Sequence, residues 1–118
     1  MLSHTLIIRR GGLFRAHAWV LKDVNGNPLT TTDGLTVVAK MRATGDAEDV
    51  LHTFETSLVL LTIPGSYGGE PVAAAQLDEM SAATTAAFDF GEAVWDMTIN
   101  GEPLVGGPVT LPWVVSRA

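Results

Sequence analysis

The last quarter of the chain alternates between apolar and polar positions. Ala93, Trp95, Met97 and Ile99 point one way, and Asp96, Thr98 and Asn100 point the other. Asn100-Gly101 is a strong hairpin dipeptide, because both residues tolerate positive φ. Val109, Leu111, Trp113 and Val115 then alternate again. Strict alternation predicts a sheet with one face on a core. The same pattern recurs upstream. Leu35, Val37, Ala39, Met41 and Ala43 interleave with Thr36, Lys40 and Arg42 as a further strand.

The segments between are read in the same way. His4 to Arg9 forms a short strand that Gly11-Gly12 breaks or bends, and Leu13 to Asp23 forms a longer one. Val24-Asn-Gly-Asn27 turns it, Pro28 to Asp33 is loop, and Thr44 to Asp49 is a polar, acidic loop. Val50 to Glu55 and Ser57 to Ile63, rich in β-branched and large apolar residues, read as one long strand or two. After Pro64-Gly-Ser-Tyr-Gly-Gly69 the composition shifts. Val72 to Ala87 is Ala-rich, with Leu77, Met80 and Thr84 at helical spacing, and predicts a short helical insertion over residues 72–87. Ser81 is placed to cap a last turn within it, and Phe88-Asp-Phe-Gly91 turns the chain back. Six to eight strands with turn signals every roughly 8–12 residues predict an all-β domain, sandwich or barrel, over residues 1–118.

Composition narrows the partners. An apolar fraction of 47% excludes a disordered chain. There are no cysteines, hence no disulfide, thiolate zinc site or thiol redox chemistry. The net charge is −6, and beyond Arg9-Arg10 no basic stripe exists, which argues against nucleic acid or an anionic membrane as partner. No apolar run exceeds the four residues of Leu58 to Leu61, too short to span a bilayer. Met1 to Ile8 lacks the basic start and the length of a signal peptide. The expectation is a chain made and kept soluble in a cytoplasm until it assembles.

Candidate chemistry is sparse. Asp23, Asn25 and Asn27 occupy positions 1, 3 and 5 of a calcium loop, but glycine falls at position 4 and Gly34 stands where the bidentate glutamate belongs. A hairpin turn explains the segment better. Ser66 has Gly68 two residues after it but Pro64 where a nucleophile elbow needs its first glycine, and the Pro64–Gly69 loop lacks the lysine of a phosphate loop. His4, His17 and His52 lie on three separate predicted strands with no metal-ligand spacing. Asp78 and Glu79 are adjacent on the predicted helix and do not face each other, and Asp46, Glu48 and Asp49 read as a solvated charge run. A small hydrolase would need two carboxylates converging in a cleft. No catalytic, cofactor or metal residue is assigned, and the expectation is a protein that is not an enzyme.

The aromatic residues say more. Trp95 falls on the core face. In Leu13 to Lys22, Phe14, Ala16, Ala18 and Val20 make one apolar face, and Arg15, His17, Trp19 and Leu21 the other. If the first is the core, Trp19 and Leu21 are exposed as a subunit contact, unless a β-bulge or the helical segment covers them. Pro112 cannot donate to a ladder, so the last strand is expected at a sheet edge, with Trp113 on an assembly surface. The candidate subunit interface is therefore Trp19, Leu21, Pro112 and Trp113. An alternative assigns Trp19, Tyr67 and Trp113 to a carbohydrate-stacking platform.

The order of segments carries a resemblance. A strand runs into Arg10-Gly-Gly-Leu-Phe14, followed by Leu21-Lys-Asp-Val-Asn-Gly-Asn-Pro-Leu29, Ala39-Lys-Met-Arg42 and Val50-Leu-His-Thr-Phe54. Ser81-Ala-Ala-Thr-Thr-Ala-Ala-Phe88 precedes Val94-Trp-Asp-Met97, and the chain closes on Gly107-Pro-Val-Thr and Val114-Val-Ser-Arg117. Over nearly its whole length this resembles small tailed-bacteriophage and prophage structural proteins, in particular the immunoglobulin-like N-terminal domain of baseplate upper proteins. The resemblance implies an immunoglobulin-like antiparallel β-sandwich used as a virion building block. The chain ends without the coiled coil or receptor-binding module of those proteins, which favours an adaptor in the tail, baseplate or fibre attachment, or a capsid decoration subunit. It also implies a symmetric multi-copy assembly with other virion subunits, put together in the host cytoplasm.

Overall fold

The computed structural model of the chain describes residues 2–113. In chain order the elements are β1 (Leu2–Ser3), β2 (Leu6–Ile7), β3 (His17–Val20), β4 (Val37–Arg42), β5 (His52–Thr53), β6 (Thr56–Leu61), β7 (Val72–Leu77), α1 (Ala82–Ala86), β8 (Glu92–Ile99) and β9 (Glu102–Thr110). One sheet runs β1-β9-β8-β4-β5, with β2 also on β9, and the other runs β3-β7-β6. The protein is an all-β sandwich with a minimal helical part. Its strand order is that of immunoglobulin sheets, B-E-D against G-F-C-C′. The core between the sheets holds Leu6, Met41, Leu77, Met97, Val105 and Leu111, each at most 1% exposed.

The alternation of β4 and β8 survives intact. Ala39 and Met41 are buried, as are Ala93, Trp95 and Met97, leaving Lys40 and Asp96 on the outer face. The β8–β9 hairpin turns on Asn100 (φ 50°) and Gly101 (φ 83°), the two positive-φ positions of a type I′ turn. The Asn100 side chain also accepts from Thr36 N at 2.7 Å and donates to the Gly34 carbonyl at 3.3 Å, which ties the hairpin to the long β3–β4 connection.

Residues 50–63 form two strands that belong to different sheets. Phe54 N still bonds Ala39 O beside β4, whereas Glu55 O accepts from Asp78 N beyond β7, so the chain changes sheets between these residues. Phe54 is buried at the crossing.

The predicted helix over 72–87 is shorter than its alanines suggest. Val72–Leu77 is the central strand of the small sheet, and only Ala82–Ala86 is helical. Alanine's helix propensity is a weak prior. In β7 it loses to a position paired on both edges, where Ala73, Ala74 and Ala75 are fully buried. Ser81 caps α1, its side chain accepting from Thr84 N at 3.2 Å. Within α1 the buried Thr85 accepts from Gly11 N at 3.1 Å and donates to Gly12 O at 2.7 Å, pinning the glycine bend that ends the first strand segment.

Two further expectations are corrected. The long strand over 13–23 shrinks to His17–Val20, with isolated bridges at Phe14 and Lys22. The alternation restarts between Phe14 and His17, so Ala16 and Ala18 are exposed and Leu21, at 3% exposure, is core. The last strand is not an edge. β1 and β2 pair with β9 in parallel, Leu2 beside Val105 and Leu6 beside Val109, and Arg10 bridges Trp113. Pro112 loses only its donor; its carbonyl still accepts from Arg10 N at 2.7 Å. The alternation expected at Val115 and the closing Val114-Val-Ser-Arg117 lie outside the described residues.

Candidate interaction site

An aromatic seam runs between the two sheets. Trp19 on β3 and Trp95 on β8 come from opposite sheets, and their rings lie 5.4 Å apart at 40°. These are the two strands that carry the inter-sheet disulfide of antibody domains; here, with no cysteine, two indoles take its place. His4 stands edge-on to Trp19 at 5.4 Å, and His17 meets Phe14 at 5.1 Å and His4 at 5.9 Å. Partial burial pushes the His17 pKa below the ordinary histidine value, and His4 beside it pushes the same way. Histidines 13 positions apart in sequence are thus brought together by the parallel N-terminal strand, a pairing that no local pattern announces.

Trp113 is 57% exposed, with the Arg10 guanidinium 4.5 Å above its ring centre. The four expected interface residues do not form one surface. Leu21 is core, Trp19 belongs to the seam, and only Pro112-Trp113 remains open, beside Arg10. The three residues of the expected stacking platform, Trp19, Tyr67 and Trp113, make no ring contact with one another. Trp19's aromatic neighbours are His4, His17 and Trp95, and none of its ring contacts involves Tyr67 or Trp113.

The outer face of the larger sheet has more relief. Lys40 on β4 pairs with Asp96 on β8, which pairs with Gly106 on β9, and Arg42 pairs with Val94, which pairs with Pro108. Long basic side chains therefore stand on β4, while short side chains and glycine follow on β8 and β9. The result is a groove of about 470 Å³ bounded by Arg42, Val94, Asp96, Gly106 and Pro108. Arg42 closes one side by bonding Asp96 at 3.3 Å, and both side chains keep part of their surface in water.

No family model, curated protein or solved structure matches the chain.

Two other concavities test the remaining chemical readings. One, of about 470 Å³, lies between the Leu21–Leu29 turn and the β8–β9 hairpin and is walled by Leu21, Val24, Leu29, Ile99 and Leu104. The other, of about 170 Å³, is lined by His52, Glu55, Glu79, Ser81 and Thr84. Two exposed carboxylates, Glu55 and Glu79, line it, a shared wall hidden from sequence because the helix expected around Glu79 is the connection that leaves β7. The cavity is smaller than the roughly 300–1,000 Å³ of ordinary ligand sites, and the Ser81 hydroxyl is engaged as the α1 cap. Burial lowers the His52 pKa, and Glu55 acts against that shift. Among the described residues no three His, Asp or Glu side chains converge as metal ligands. In the calcium-like segment Asp23 Oδ1 instead accepts from Asn25 N and Asn27 N at 2.9 and 3.0 Å, which makes it the brace of a turn.

Proposed function

We propose that the chain is a non-enzymatic structural subunit of a tailed-phage virion, a tail, baseplate or fibre-attachment adaptor that works by packing against neighbouring subunits. The resemblance in segment order supplies the virion context. The observation that carries the packing role is the outer face of the larger sheet, where Val94, Pro108 and the Gly106 backbone form a groove beside a single ion pair. The groove interrupts a face on which Lys40, Arg42, Glu92, Asp96 and Thr98 point outward, charged or polar as a solvated face requires. Sandwich modules use such faces for contact because paired strands hold the side chains rigidly, which lowers the entropy cost of docking.

The test is mass spectrometry of purified particles from a host that carries the gene. The chain is expected as a stoichiometric component, and its absence overturns the virion reading. Disassembly into head and tail fractions then separates a tail adaptor from a capsid decoration subunit.

A further inference from the structure

We propose that the outer face of the larger sheet is a self-complementary surface on which two copies of this chain dock. The proposal rests on reading the chain as a packing module and names the partner of its groove.

The face carries its charge in columns. Lys40 and Arg42 stand on β4, and Asp96 stands on β8 directly opposite Lys40 in the register. Consider a two-fold axis parallel to the strands, between β4 and β8. It places β4 of each copy over β8 of the other at the same height. Lys40 then sits over the partner's Asp96, twice by symmetry, and Arg42 sits over the partner's Val94. Relief follows charge, since the ridge of long β4 side chains enters the groove that the short β8 side chains and Gly106 leave. An isologous interface requires this kind of self-complementarity, in which residue i meets j and j meets i.

Net charge points to the same face. Each copy carries −6, so two copies repel over most of their surface. On this face Lys40 and Arg42 offset Asp96 and Glu92, so the repulsion is locally relieved. Under this axis the six residues of β4 lie over β8 and the two of β5 over β9, each twice, which projects to roughly 250 Å² and makes the dimer a weak, concentration-dependent one.

The experiment is sedimentation velocity on the purified chain at moderate salt. Wild type is expected as a dimer. Lys40→Asp and Asp96→Lys each place like charges opposite one another and are expected to weaken the dimer by roughly 10-fold or more. Mixing the two variants restores both pairs, so a one-to-one heterodimer forms where neither variant associates alone. Asp96→Lys also removes the Arg42 partner, so circular dichroism checks its fold. Independently of any variant, carbodiimide treatment of mixed isotope-labelled and unlabelled wild type is expected to join Lys40 of one copy to Asp96 of the other. A wild-type monomer at about 500 μM, a range in which even weak association is visible, overturns the proposal. So do single variants that dimerise as tightly as wild type. Neither outcome touches the particle proteome, so failure of the dimer and failure of the virion reading remain distinguishable.

Discussion

The indole N–H of Trp95 donates to the backbone carbonyl of His4 at 2.9 Å. The bond answers a vacancy in the sheet ladder. His4 N bonds Gly106 O, so in a parallel ladder the reciprocal donor to His4 O is the N–H of residue 108. That residue is Pro108, which has none. Trp95 supplies the donor from within the core, and Gly107 makes room: a Cβ there would lie 2.6 Å from the His4 oxygen. Gly107, Pro108 and Trp95 therefore act as one device that holds the N-terminal strand on β9.

Its members are expected to be energetically coupled. Trp95→Phe strands the His4 carbonyl and costs about 1–3 kcal/mol. Pro108→Ala restores a ladder N–H, so the same Trp95→Phe change is expected to cost less in the Pro108→Ala background, read as a double-mutant cycle by urea denaturation. Gly107→Ala forces the His4 backbone away and is expected to cost about 1–3 kcal/mol, with faster hydrogen exchange at the amides of His4 and Ile8. Equal costs of Trp95→Phe in both backgrounds would contradict the assignment of Pro108 as the missing donor.

Leu21 and Trp113 separate core from surface. Leu21→Ala removes a side chain that is 3% exposed and is expected to cost about 2–5 kcal/mol. Trp113→Ala removes one that is 57% exposed, together with its contact to Arg10, and is expected to cost about 1 kcal/mol or less. Comparable melting temperatures for the two variants would contradict this placement.

How much was legible in the sequence depended on the range of the interaction. The β8–β9 hairpin and the core faces of β4 and β8 were readable because Asn100-Gly101 and the alternation around Met41 and Trp95 are local. The helix start at Ser81 was readable for the same reason. Val72–Leu77 misled because a fully buried strand is apolar on both faces and shows no period of two, while alanine favours helix in isolation. Trp19 stayed ambiguous because the strand's phase resets between Phe14 and His17, where the chain leaves the bridge to Met80. The edge expected at Pro112-Trp113 failed for a different reason. Leu2 beside Val105 is a pairing across almost the whole chain, and a proline that accepts without donating is compatible with it. The outer groove was invisible because it comes from the cross-strand neighbours Arg42, Val94 and Pro108.

Thr85 provides a test of the bend at Gly11-Gly12. Its hydroxyl is buried and serves both glycines, so Thr85→Val leaves Gly11 N and Gly12 O without partners. A loss of about 1–3 kcal/mol is expected, despite the matching shape of valine. Ser81→Ala, which removes the α1 cap, is expected to cost about 0.5–2 kcal/mol. A Thr85→Val variant as stable as wild type would show that water replaces the hydroxyl at the bend.

The histidines set the direction of the pH dependence near neutrality. His17 and His52 both have folded pKa values below the ordinary 6.5, chiefly because burial disfavours the charged ring. Between the folded and unfolded values the unfolded chain binds more protons, so stability rises with pH through that window. The stability these groups contribute is complete above about pH 7 and declines as pH falls below the unfolded value of about 6.5. His17 contributes through the seam, where its protonation would place a charge beside His4 and against Phe14. Thermal melts from pH 7.5 down to 5.5 are therefore expected to show a falling midpoint. Replacing both rings, as His17→Gln with His52→Gln, is expected to flatten the slope across that range while lowering the plateau. A wild-type midpoint independent of pH, or one that rises on acidification, would show that neither ring is held neutral by the fold.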